Sequence, residues 1–125
     1  MAIESYKDLE VWQMAMTLAE DCYRLTAQFP KDEIYGMSSQ IKRAAVSIPA
    51  NIAEGYGRDQ TGSFLQFLRI AQGSARELET HLILTDRIRL ADIQSLMPLQ
   101  DKCERISKML RALIRAIEAR KALDQ

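Results

Sequence analysis

Glycine and proline are scarce in this chain, five of one and three of the other in 125 residues. So little punctuation argues against a many-stranded fold, which needs a turn signal every few residues. Cysteine is scarcer still. Cys22 and Cys103 stand alone, with no CxxC and no Cys/His spacing. That excludes a disulfide framework or a zinc module and points to reduced thiols in a cytoplasmic protein. Net charge is absent, because seventeen basic side chains balance seventeen acidic ones. The chain as a whole therefore has no general attraction for nucleic acid or membrane surfaces. No apolar run approaches the roughly 20 residues that span a bilayer, and the opening MAIESYKDLEVW does not read as a signal peptide.

What is present is core material. Hydrophobic residues make up 47% and charged residues 27%. That balance argues against disorder and for one domain over residues 1–125, burying roughly two-thirds of the unfolded chain's surface. No internal repeat or low-complexity tract divides it.

The apolar spacing predicts four helices, over about residues 8–29, 38–56, 61–88 and 92–120. The breaks fall near Pro30 to Gly36, Gly57 to Gly62, and Arg89 to Asp92. On the first helix Val11, Met14, Ala15, Leu18, Cys22, Leu25 and Phe29 recur at three- and four-residue steps. A second apolar strip lies beside them: Trp12, Met16, Ala19 and Tyr23. The two strips span roughly 200°, wider than the roughly 100° stripe of a simple surface helix. The second strip is therefore a candidate subunit interface, or else the edge of the bundle.

The second helix is expected to bury Ile41, Ala44, Ala45, Ile48, Ile52 and Tyr56. Ser47, Asn51, Glu54 and Arg58 are expected to face away, with Glu54 and Arg58 spaced for an ion pair. Small residues at Ala44, Ala45 and Gly55 would let a neighbouring helix come close. Pro49 sits inside this helical pattern and removes one backbone hydrogen bond, a cost of roughly 3 kcal/mol. The register is the same on both sides of it. The expectation is one continuous helix, bent near Pro49, with Ser47 or Asn51 helping to satisfy the freed backbone groups.

Thr61 is the expected N-cap of the third helix. Its core face holds Phe64, Phe67, Leu68, Ala71, Ser74, Ala75, Leu78 and Leu82, with the Ser74 hydroxyl bonding back to a carbonyl. Glu77 and Glu79 flank that face on opposite sides. The fourth helix shows Ile106, Met109, Leu110, Leu113, Ile114 and Ile117 on one face, and Pro98 marks a possible true beginning. Lys108, Arg111 and Arg115 line the opposite face, with Arg105 at its edge. Residues 102–121 hold seven basic and two acidic side chains. Four long helices with short loops must alternate up and down, giving an all-α antiparallel four-helix bundle.

Chemistry finds little support. His81 is the only histidine, four residues from Glu77. A di-metal bundle needs two Glu-x-x-His motifs, and neither exists here. No nucleophile–base pair or phosphate loop is visible, so no enzyme, metal or cofactor is expected. The basic stripe is a candidate contact for RNA or DNA phosphates through Arg105, Lys108, Arg111 and Arg115. No aromatics interleave it, and a solvated surface is the plainer reading.

Residues 47–55, SIPANIAEG, carry a family resemblance. Around them stand Leu9 to Gln13 (LEVWQ), Phe29-Pro30, Tyr35-Gly36, Gln40 to Ala45, Arg58, Phe64-Leu65, Gly73-Ser74 and Glu77 to Thr80 (ELET). Over roughly residues 5 to 120 the chain resembles the four-helix bundle proteins encoded in intervening sequences of bacterial 23S rRNA genes. The resemblance implies a homo-oligomer, a five-membered ring in particular, and kinship with the nucleic-acid-associated accessory protein of diversity-generating retroelements. It brings no catalytic residues. Its motif residues Pro49, Asn51, Glu54, Gly55, Arg58, Ser74 and Glu77 read as architectural. The expected role is a non-enzymatic oligomer, partnered by itself and by RNA or DNA but not by membrane. The competing role is a scaffold or adaptor for a protein partner.

Overall fold

The computed structural model describes residues 3–123; residues 1, 2, 124 and 125 of the expected domain lie outside the described residues. Four helices form the fold: α1 (Glu10–Thr26), α2 (Met37–Tyr56), α3 (Thr61–Arg87) and α4 (Ile93–Leu123). Each packs on the next in sequence, and α4 closes back onto α1. Residues 57–60 and 88–92 are too short to let a helix do anything but reverse, and the longer stretch 27–36 is shortened by the 3-10 turn Lys31–Glu33. The result is the expected antiparallel four-helix bundle, and no strand occurs among the described residues.

The helix ends show how side-chain chemistry sets the boundaries. α1 begins two residues later than its apolar pattern suggests, because Asp8 is used upstream. Tyr6–Asp8 form a 3-10 turn in which the Ser5 hydroxyl accepts from the Lys7 amide at 3.1 Å. The Asp8 carboxylate accepts from the amides of Glu4 and Ser5. α2 is capped by Glu33, whose carboxylate accepts from the Met37 amide at 3.1 Å. Thr61 does not cap α3: Gln60 holds the N-cap position without a side-chain bond, and Thr61 is already helical. The cause lies in the α2–α3 turn, where Asp59 adopts a left-handed φ of 60° and sets the chain direction one residue earlier.

α3 ends in a Schellman motif. The Leu90 amide bonds the Thr85 carbonyl and the Arg89 amide bonds the Asp86 carbonyl, both at 3.0 Å. The left-handed position, usually glycine, is Arg89 at φ 58°. Pro98 does not open α4, since five helical residues precede it. Its missing N–H leaves the Gln94 carbonyl without its usual partner. Both residues are exposed, so water can replace that bond.

The core runs the length of the bundle. Leu18, Ile41, Ile48, Ile52, Leu68, Leu78, Leu82, Ile106 and Leu110 are all fully buried. Leu65, Thr85, Leu96 and Leu99 join it although the apolar periodicity did not single them out. Thr85 is tolerated there because its hydroxyl donates to the His81 carbonyl at 2.8 Å. Cys22 and Cys103 are buried free thiols, and burial pushes both up from 9.0 to about 12. At neutral pH they are inert packing groups.

Candidate functional site

Three surfaces could carry function: the α1–α2 groove, the α2–α3 seam at the SIPANIAEG run, and the outer face of α4.

The groove lies on the second apolar strip of α1. Of its four residues, Ala19 is buried and forms the floor, while Met16 and Tyr23 stand exposed at 38% and 51%. Trp12 is half-buried and turned toward its own chain, edge-on to Tyr6 with ring centroids 5.2 Å apart. From α2 come Val46, 42% exposed, and the ring of Pro49. Together these side chains enclose a shallow apolar depression of about 460 Å³. Glu20 and Arg24 stand at its rim, and Lys42 covers the Tyr23 face with its amine 5.3 Å from the ring centre. The contribution of Val46 was not singled out in the sequence. Its only signal was a β-branched residue lying off the core register of α2.

At the seam the structure corrects the reading of α2's polar face. Ser47 and Asn51 do not face away from the bundle. Both are half-buried, and the Ser47 hydroxyl meets that of Ser74 on α3 at 2.7 Å. Ser74 therefore bonds a neighbouring helix and not a carbonyl of its own preceding turn. Asn51 donates to the Ser47 hydroxyl at 2.9 Å and to the Ser47 carbonyl at 2.7 Å. Pro49 deprives the Ala45 carbonyl of its partner, and neither Ser47 nor Asn51 reaches that group. α2 nevertheless runs unbroken through Pro49. Glu54 and Arg58 are exposed and form the expected ion pair at 2.9 Å. The Arg58 guanidinium also stacks 5.2 Å from the Phe67 ring centre.

Gly55 explains the closeness of this seam. A Cβ there would lie 2.6 Å from Phe67 Cβ and 3.1 Å from Phe64 Cδ1. Only glycine lets α2 and α3 approach this far. Farther along α3, Glu77 meets His81 at 3.2 Å. No third ligand joins them: among the described residues no group of three His, Cys, Asp or Glu side chains could hold a metal ion.

On α4, Arg105, Lys108, Arg111 and Arg115 are all exposed. Lys108 is engaged by Glu104 at 3.3 Å. Arg105, Arg111 and Arg115 have no acidic partner among the described residues. Lys102 belongs to a different contact, pairing with Asp21 to tie α4 to α1. Among the described residues no helix is long and apolar enough to cross a membrane.

The profile of the 23S rRNA-intervening sequence protein family matches residues 7–112 of this chain. Among solved structures, a protein of unknown function from the S23 ribosomal protein family of Bacteroides thetaiotaomicron VPI-5482 has a similar fold, with a TM-score of 0.75. The two share 26% identity over 83% of this chain and 97% of that one. No curated protein matches.

Proposed function

The chain belongs to the 23S rRNA-intervening sequence protein family, and for this member we propose a non-catalytic role: copies assemble through the α1–α2 face and present α4 to nucleic-acid phosphates. The exposed apolar groove carries the reading. An apolar depression ringed by charged side chains supports reading this face as an interaction surface. A second copy of the chain is the partner always at hand. Assembly would also repeat the Arg105, Arg111 and Arg115 stripe around one particle, multiplying weak phosphate contacts without any new chemistry.

Light scattering on the purified protein tests the first half. The expected mass is several times 14.3 kDa, and Val46→Glu should lower it by setting a charge in the groove. A wild type that is monomeric at micromolar concentration overturns the reading. A gel-shift with RNA and DNA tests the second half. Binding should weaken steeply with salt and disappear in Arg111→Glu/Arg115→Glu. An assembled protein that shifts neither at low salt supports the scaffold reading instead, which the neutral net charge and the Glu104–Lys108 pair favour.

A further inference from the structure

The groove raises the question of what fills it, and the α1–α2 turn carries a side chain of the right kind. Tyr35 is 96% exposed and touches almost nothing of its own chain. Ile34 beside it is half exposed, at 50%. The turn that holds them is well ordered by its own bonds. Pro30 fixes its start, and the amides of Glu33 and Ile34 bond the carbonyls of Pro30 and Lys31. The Gly36 amide bonds the Glu33 carbonyl at 3.1 Å, and the Glu33 carboxylate caps α2. These bonds fix the backbone of the turn and leave the Tyr35 side chain out in water. Docking therefore has to order the side chains but not the backbone that carries them, and tyrosine is a frequent interface anchor.

We propose that Tyr35 and Ile34 of one copy dock in the α1–α2 groove of another. This rests on the self-association reading above and names the part of the second copy that makes the contact. The groove's 460 Å³ lies within the roughly 300–1,000 Å³ of side-chain and ligand clefts, ample for one aromatic ring. Its walls are apolar, while Tyr23 and the charged rim leave polar neighbours for the phenol. The charges agree as well. Asp32 on the turn has no basic partner among the described residues, and Lys42 and Arg43 beside the groove have no acidic one. Glu33 and Arg24 are already engaged within their own chain.

The contact cannot form within one chain. Val46 lies nine residues into α2 beyond Met37, roughly 14 Å along the axis at 1.5 Å per residue. The turn of a given copy is thus held away from its own groove by a rigid helix. Knob and groove are different patches, so every copy offers one of each, and the contact either closes reciprocally in a two-fold dimer or runs head to tail.

A double variant, Tyr35→Cys/Val46→Cys, tests the pairing by mild oxidation and non-reducing gel. Cys22 and Cys103 are buried and do not interfere. The double variant should give cross-linked copies, a dimer band where the contact is reciprocal and a ladder where it runs head to tail, and neither single variant should. An intramolecular bridge is excluded, because disulfides need Cα atoms within about 7 Å. In parallel, Tyr35→Ser should weaken self-association by roughly tenfold or more without changing helix content or thermal midpoint, since Tyr35 supports nothing in its own bundle. Tyr35→Phe should retain most of the affinity. If the wild type assembles but the double variant gives no cross-linked copies, or Tyr35→Ser leaves self-association unweakened, this pairing is overturned while self-association stands. A monomeric wild type overturns both.

Discussion

Replacing Gly55 with alanine should destabilise the protein, although glycine is among the poorest helix formers and alanine the best. The added Cβ would stand 2.6 Å from Phe67 Cβ and 3.1 Å from Phe64 Cδ1. Carbon atoms pack comfortably at about 3.5–4.0 Å. Phe67 Cβ is bonded directly to the α3 backbone and cannot rotate away, so the helices would have to separate by about 1 Å. Overpacking of this kind costs about 1–3 kcal/mol. Removing a helical glycine returns up to about 1 kcal/mol, and less near a helix end. The net expectation is a loss of about 1–2 kcal/mol, or a fall in thermal midpoint of roughly 3–8 °C for a domain this size. Gly73 provides the internal control. It is exposed in the middle of α3, and a Cβ there meets nothing within 4 Å. Gly73→Ala should therefore raise stability by about 0.5–1 kcal/mol. Urea unfolding followed by circular dichroism, at one fixed protein concentration, compares the two. If Gly55→Ala raises the midpoint as Gly73→Ala does, the close α2–α3 approach is wrong.

Ser47→Ala and Ser74→Ala should each cost about 1 kcal/mol, and the double variant should cost clearly less than their sum, because both remove one hydroxyl pair; additive losses in urea unfolding would contradict the 2.7 Å contact. Arg89→Gly should stabilise by about 1 kcal/mol, since glycine adopts the left-handed C-terminal position of α3 without strain; a lower thermal midpoint would refute the Schellman geometry. Cys22 and Cys103 should resist a thiol reagent at pH 8 until the protein is unfolded, and prompt labelling of the folded protein would show that they are not buried. Their folded values of about 12 lie above the unfolded 9.0. The folded state thus holds these protons longer, so the stability from burying neutral thiols is complete below pH 9 and declines as pH rises toward 12. Cys22→Ala/Cys103→Ala should flatten that alkaline decline.

Much of the fold was legible in the sequence because a helix writes its buried face directly into residue spacing. Val11, Ala15, Leu18, Cys22 and Leu25 state one stripe of α1 without reference to any other helix. The same holds for Ile41, Ala44, Ala45, Ile48 and Ile52 around Pro49. Scarce glycine and proline then left only short reversals, and short reversals make neighbours antiparallel. Helix ends were harder. Asp8, Thr61 and Pro98 each look like a helix start, and each is something else once the turn beside it forms. Arg89 carries no turn signal at all, yet it holds the left-handed position.

The surfaces divide along the same line. That α4 has a basic face follows from the spacing of Arg105, Lys108, Arg111 and Arg115 alone. Which of those charges stay free depends on their neighbours in space, and Glu104 engages only Lys108. Periodicity places a side chain on a helix face, but it cannot say which neighbouring helix that face meets. Ser47 and Asn51 therefore read as outward-facing until α3 was packed beside them with Ser74 opposite. The groove has the same origin. Met16 and Tyr23 come from one helix, Val46 and Pro49 from another, and only their packing across residues distant in sequence encloses an apolar hollow. Sequence alone determined four amphipathic helices and their order. Tertiary packing decided which polar groups bond across helices, where α2 and α3 must touch, and which apolar surface is left uncovered.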